Sequence, residues 1–378
     1  MAATPILDLT EALPQPSSKK WIGRLAGGFI GLLLGISPII SPRYFAGFNG
    51  FLLFPALYAA IAIHEVGHLL AGRIVGMRPG AIVIGGIAVF KSGSHWRIRF
   101  DYRRMFAGGL AKVLPQKGDF RPASFAWMIA GGPLTSLAFT VVCGLAEFSY
   151  GPGAWGWIST LFWIALLIAL IPLFPVSSGL NKSDGARLWI LMRRPEQVRP
   201  WMAVWALQTE ETRGVLPRDW DPETVNLMLM ANPSSGEYSY IQLLAFYRHI
   251  DQKEEQTALQ HLENALAGSA RSSKILRQCI FLEAASSSAL SRRNVSQART
   301  WLERAGEVKD PVSTDSAEAA IAIRDARYDD ARRFLAAARA RIERRKLDSG
   351  LARFAKERFS EFEKMCQSPT SDIQVEVQ

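Results

Sequence analysis

From Phe51 to Ile63 the chain has no charged side chain, and the next five residues are His64-Glu65-Val66-Gly67-His68. On a soluble surface three ionisable groups in five positions would be ordinary. Inside an apolar run they are costly, and such residues within a membrane span are usually functional. If the run is helical, positions i and i+4 share a face, so His64 and His68 present two imidazoles to one metal ion. Glu65 follows the first histidine, where it can reach the metal's water as a general base. A buried soluble helix with two satisfied histidines is the plainer alternative, but it leaves Glu65 without a role in an apolar setting. Nitrogen donors beside a general base favour zinc (Zn2+) over other metals.

The rest of the chain divides sharply. Almost every long apolar run precedes about residue 195, and almost every dense charge run follows it. The net charge of +10 would suggest nucleic acid if it were spread over one soluble domain. Much of it instead lies between apolar runs, as expected of Lys and Arg gathered on the cytosolic side of a membrane protein. Nucleic acid is rejected as the main partner. Cys143, Cys279 and Cys366 form neither a metal-type pair nor an even-numbered disulfide framework.

In chain order, residues 1–20 read as a flexible tail containing Pro5, Pro14 and Pro16. Residues 21–195 read as a membrane domain with four spans. The first covers 21–41. The second, from about Phe48 to Ile74, carries the histidines towards its far end, since Phe51 to His64 is roughly 20 Å of helix. Phe125–Phe148 is the third span and Trp155–Leu173 the fourth. The loop over 73–121 holds ten Lys or Arg residues and two Asp. It also contains two strand-like stretches, Ala81–Phe90 with a glycine break and the alternating His95–Arg103. His95 is read there as a surface residue. Lys19, Lys20, Arg24, the basic loop, Arg187, Arg193 and Arg194 then share one side of the membrane, and Arg43 stands alone on the other. This is a multi-pass protein with both termini in the cytosol. The same topology brings the histidines towards the cytosolic leaflet and Asp184 to that side.

Residues 196–366 read as a cytosolic α-helical domain, and 367–378 as a disordered tail. Amphipathic patches at 258–266, 297–305 and 330–336 recur at about 39 and 33 residues, near the period of tetratricopeptide helix pairs. An ordinary helical bundle fits the same pattern. His249 and His261 are read as surface or packing residues. The fold class is therefore mainly α: a polytopic helical membrane core with a small β segment, followed by a soluble helical domain.

Roughly residues 48–192 resemble the site-2 protease family of intramembrane zinc metalloproteases. The resemblance rests on His64-Glu65-x-x-His68 in a span, Gly132-Pro133 in a later span, and Pro172-x-x-Pro175 followed by Asp184-Gly185. It implies that Asp184 is the third zinc ligand beside His64 and His68, with Glu65 catalytic. The chain departs from the family pattern at three places. Ser136 and Ala169 stand where asparagines are frequent, and the aspartate, commonly placed at the Ser177 position, comes seven residues later. Gly185 and the Ser-Gly-rich approach are expected to give that ligand a flexible backbone.

The implied activity is hydrolysis of peptide bonds in membrane-spanning or membrane-associated substrates within the lipid bilayer, often releasing a regulatory protein. Such a substrate must present an unwound strand, and the edge of the strands near 81–102 is a candidate receiver. The helical C-terminal domain is a candidate recruiter of a protein partner. Two rival classes fit the residues less well. A catalytically inactive relative would serve as a membrane scaffold or binding protein, but it has no need of Glu65. A zinc transporter would want polar residues in several spans, and the first, third and fourth are nearly free of them.

Overall fold

The computed structural model describes residues 52–92, 95–100, 108–115, 121–150, 156–178, 181–194, 196, 198–307, 311–344 and 349–367. The expected N-terminal tail, the first span over 21–41 and the tail from 368 onward lie outside them. The chain forms two compact units, one ending at Met202 and the other beginning at Ala203. It is mostly helical, with a small antiparallel sheet.

In the first unit, α1 (Leu53–Ile74) and α2 (Pro122–Tyr150) are long and apolar enough to cross a membrane. Of the four expected spans, these match the second and third. The fourth is shorter: α3 (Gly156–Leu170) has 15 residues and ends in a 3-10 turn over Ile171–Leu173. Helices α1 and α2 cross backbone to backbone. A Cβ on Gly67 would stand 2.4 Å from the Gly131 carbonyl, and one on Gly131 would stand 2.4 Å from Ala71 Cβ. Small residues at a crossing permit that approach, and here nothing larger fits.

Four strands follow α1: β1 (Arg78–Ile84), β2 (Ile87–Ser92), β3 (His95–Phe100) and β4 (Gly109–Leu114), in the order β3-β2-β1-β4 and all antiparallel. The stretch read as one strand with a glycine break is a hairpin. Ile84 pairs with Ile87, and Gly85 turns with φ +54 between them, a backbone conformation glycine adopts without strain. The loop's fourth strand was not anticipated. Its Val113, 1% exposed, packs so close to α1 that a Cβ on Gly72 would meet its Cγ1 at 2.5 Å. That contact seats the sheet on the helix carrying the histidines. After the 3-10 turn, a two-stranded ribbon of β5 (Ser177–Ser178) and β6 (Asn181–Lys182) leads into α4 (Asp184–Arg193). Helix α5 (Val198–Thr212) contains the boundary between the units.

The second unit opens with a 3-10 turn (Pro217–Asp219) and α6 (Pro222–Leu229). Three helix hairpins follow: α7 (Tyr238–Asp251) with α8 (Glu255–Gly268), α9 (Lys274–Leu290) with α10 (Val295–Ala305), and α11 (Pro311–Arg324) with α12 (Tyr328–Arg344). Hairpin starts at 238, 274 and 311 give steps of 36 and 37 residues. Each hairpin turns through a non-glycine residue of positive φ: Lys253, Arg293 and Ala326. In the first and third, the next amide reaches back to the helix's third-last carbonyl, Glu254 to His249 at 2.9 Å and Arg327 to Ala322 at 2.8 Å, which closes the helix end.

A final helix, α13 (Gly350–Gln367), lies along the array. Its Arg358 pairs with Glu283 of α9 at 2.7 Å, its Phe354 ring meets Tyr247 of α7, and its Glu357 meets Arg218 at 2.6 Å. His261 stacks on His249 at 5.0 Å and bonds Gln242 at 2.7 Å. Burial, with His249 alongside, holds its pKa down to about 4, as suits a packing residue.

Candidate metal centre

The site lies at the α1–α2 crossing, where Gly67 meets Gly131 and Gly132 faces the histidines. His64 and His68 are both buried and aim their Nε2 atoms at the same point, 3.2 Å apart. Asp184 Oδ2 completes a triangle, 3.1 Å from Nε2 of His64 and 3.4 Å from Nε2 of His68. These three residues are the grouped ligand-type side chains among the described residues. They come from 120 residues apart in sequence.

Whether a metal fits can be judged from the triangle itself. Donors bound tetrahedrally to zinc at about 2.0–2.1 Å lie roughly 3.3 Å from one another. The observed edges bracket that value. Space is provided too. A Cβ on Gly132 would stand 2.3 Å from Nε2 of His68 and 2.8 Å from Nε2 of His64, so α2 leaves the face of the pair open only because residue 132 has no side chain. The other ring nitrogens are held from behind. His68 Nδ1 donates to the Met128 carbonyl at 2.9 Å, and His64 Nδ1 lies 3.0 Å from Ser136 Oγ. With Nδ1 carrying the proton, each Nε2 turns a lone pair into the triangle.

Asp184 is delivered by its neighbours. Ser183 caps α4, its Oγ accepting the Ala186 amide at 3.2 Å, so the Asp184 carboxylate is free of that duty. Gly185 was expected to supply flexibility; its real role is clearance. A Cβ there would fall 1.8 Å from the Leu173 carbonyl, so only glycine lets α4 begin against the preceding turn. Burial alone would raise the Asp184 carboxyl, but the His64 and His68 rings set against it outweigh that and hold the group well below the usual carboxylate range.

Glu65 is buried at 7% exposure beside the triangle. It accepts the backbone amide of Ala111, and β4 passes so near that a Cβ on Gly109 would stand 2.1 Å from its Oε1. The strand edge beside the site is thus β4, whereas β1 and β2 lie inside the sheet and β3 forms its far edge. His95 opens β3.

The chain matches the family model described as Peptidase family M50 over residues 52–314, more than half its length. The chain belongs to peptidase family M50. This is the site-2 protease family suggested by the motifs, whose members are membrane-embedded metallopeptidases using a metal cofactor. The two membrane-length helices and the His/His/Asp group are consistent with M50 membership. No curated protein and no solved structure matches the chain.

Gly132 and Ser136 were singled out in the sequence only as motif positions, and Met128 and the support that all three give the histidines were missed. Met128, Gly132 and Ser136 are spaced by four, so they form one stripe along the helix, as His64 and His68 do on α1. That shared spacing was the available signal.

Proposed function

We propose that this chain is an intramembrane zinc endopeptidase, with His64, His68 and Asp184 holding the zinc and Glu65 acting as general base. The observation that supports this most is the triangle of two Nε2 atoms and Oδ2 with edges of 3.1–3.4 Å. The chemistry that zinc supplies when bound is Lewis acidity towards water and the scissile carbonyl. Glu65 takes the proton of the attacking water at a carboxylate oxygen and returns it to the departing amine nitrogen. The Ala111 amide donates to that carboxylate.

The substrate is a membrane-spanning or membrane-associated protein segment that unwinds and pairs with β4, the outer strand beside the site among the described residues. Its carbonyls then run past Glu65. Four spans with both termini in the cytosol are retained as the topology. In that arrangement α3 and its 3-10 turn complete the last span: about 1.5 Å per residue over 15 residues and about 2 Å over three more give roughly 28 Å, near the hydrocarbon thickness. The hairpin array, read as tetratricopeptide-like, recruits a partner or substrate.

The test is co-expression with candidate single-span substrates, comparing wild type with Glu65→Gln. Cleavage by wild type alone is expected. Equal cleavage by both would overturn the assignment of Glu65.

A further inference from the structure

We propose that Ser136 is a positioning residue for His64, fixing the ring so that Nε2 offers its lone pair to the metal. This rests on the zinc reading above and deepens it. Ser136 was first notable as a departure, a serine where asparagine is frequent. Its side chain is 1% exposed and sits 3.0 Å from Nδ1 of His64, across 72 residues of sequence.

A buried imidazole with an unpartnered Nδ1 would have little to choose between its two neutral forms, and one of them places a proton on Nε2 where the metal must bind. For His68 the choice is made by a backbone carbonyl, which can only accept. For His64 it falls to a side chain, and so it can be changed by mutation. The Ser136 hydroxyl, 3.0 Å away, is placed to accept the Nδ1 proton. Thr140 hydrogen-bonds the Ser136 carbonyl at 2.8 Å, so it leaves the Ser136 hydroxyl to the histidine. An asparagine could do the same work, since its amide oxygen is also an acceptor. The departure from the family pattern therefore keeps the hydrogen-bonding capacity while shortening the side chain.

Partners of this kind typically change metal affinity 10- to 100-fold when removed. The experiment is zinc competition against a chromophoric chelator on the full-length protein in detergent, together with kcat and KM on any cleaved substrate. Ser136→Ala should weaken zinc binding by 10- to 100-fold. It should lower kcat at subsaturating zinc with KM unchanged, and added zinc should restore turnover. Ser136→Asn should bind zinc close to wild type, and Thr140→Ala, which lies one turn on, should not alter it. If His64→Ala loses zinc while Ser136→Ala binds it as tightly as wild type, the positioning role is wrong and the zinc reading stands. A raised KM with unchanged zinc affinity in Ser136→Ala would likewise overturn it, because the serine would then be touching substrate. Zinc bound normally by His64→Ala would instead remove the zinc reading itself.

Discussion

Adjacent glycines on α2 make opposite predictions, and the contrast tests the metal centre without altering any ligand. An alanine at 132 puts its Cβ 2.3 Å from Nε2 of His68 and 2.8 Å from Nε2 of His64. Ordinary carbon–nitrogen contact needs more than 3 Å, so the methyl occupies the space into which both lone pairs point. The helix itself gains, since alanine is favoured over glycine by about 1 kcal/mol in a helix interior. Overpacking costs about 1–3 kcal/mol, and the imidazoles can absorb part of it by rotating away. Net stability should therefore change by no more than about 2 kcal/mol, whereas zinc should be lost to at least the 100-fold extent that an outer partner's removal can reach.

An alanine at 131 collides instead with Ala71 Cβ at 2.4 Å and the Gly67 carbonyl at 2.5 Å. Backbone cannot rotate aside, so Gly131→Ala should lower the unfolding temperature first. The assay is elemental analysis of zinc per chain in purified protein beside thermal unfolding by circular dichroism. If Gly132→Ala holds a full equivalent of zinc and retains activity, the metal does not sit between these rings.

Glu65→Gln should keep zinc and reduce cleavage by about 10²–10⁴-fold, because the amide cannot take a proton, while Asp184→Ala should lose both zinc and cleavage. Zinc content and single-turnover cleavage separate the two roles, and an active, zinc-replete Asp184→Ala would remove it from the ligand set. Reporter fusions after Arg121 and Arg194 should report cytosol and fusions near Gly151 the opposite side; a cytosolic signal at Gly151 breaks the four-span topology. In the helical unit, Glu283→Ala strands Arg358 with 12% of its side chain exposed, which should cost about 3–5 kcal/mol of stability. A denaturant midpoint unchanged from wild type would show that the Arg358–Glu283 pair does not hold α13 in place.

The parts of this protein that sequence reading captured are those written as local words. His64, Glu65 and His68 share one helical turn, and their chemistry follows from spacing alone. Strand β4 was missed because Gly108 and Gly109 look like loop; its strand character comes from pairing with β1, a long-range contact. The hairpin repeat was half legible. Its amphipathic helices showed in the pattern, but Lys253, Arg293 and Ala326 occupy left-handed turns where a glycine would have marked the boundary. Gly132 was read only as part of a motif and Gly185 as a source of flexibility, and what each makes room for depended on residues far away in sequence.

The late arrival of Asp184 yields to the same kind of argument. It comes nine residues after Pro175, which at first weakens any ligand assignment based on family spacing. The chain path removes the difficulty. Val176 and Ser183 are bonded to each other twice over, the Ser183 amide to the Val176 carbonyl at 2.9 Å and the Val176 amide to Ser183 Oγ at 3.1 Å. Ser183 Oγ also donates to the Phe174 carbonyl. The chain thus returns at Ser183 to the place it left at Val176, with β5 and β6 paired against each other as Ser177 with Lys182 and Ser178 with Asn181. The extra length is an excursion closed at its base, and the residue after the closure stands where a shorter connection would have put it. Ser183 both closes that loop and caps α4, so a single side chain sets the position from which Asp184 reaches His64 and His68. Ser183→Ala should therefore cost the helix about 1 kcal/mol as a lost cap and, by loosening the loop base, weaken zinc binding as well. Zinc affinity unchanged in that variant would mean that the clearance at Gly185 alone positions the aspartate.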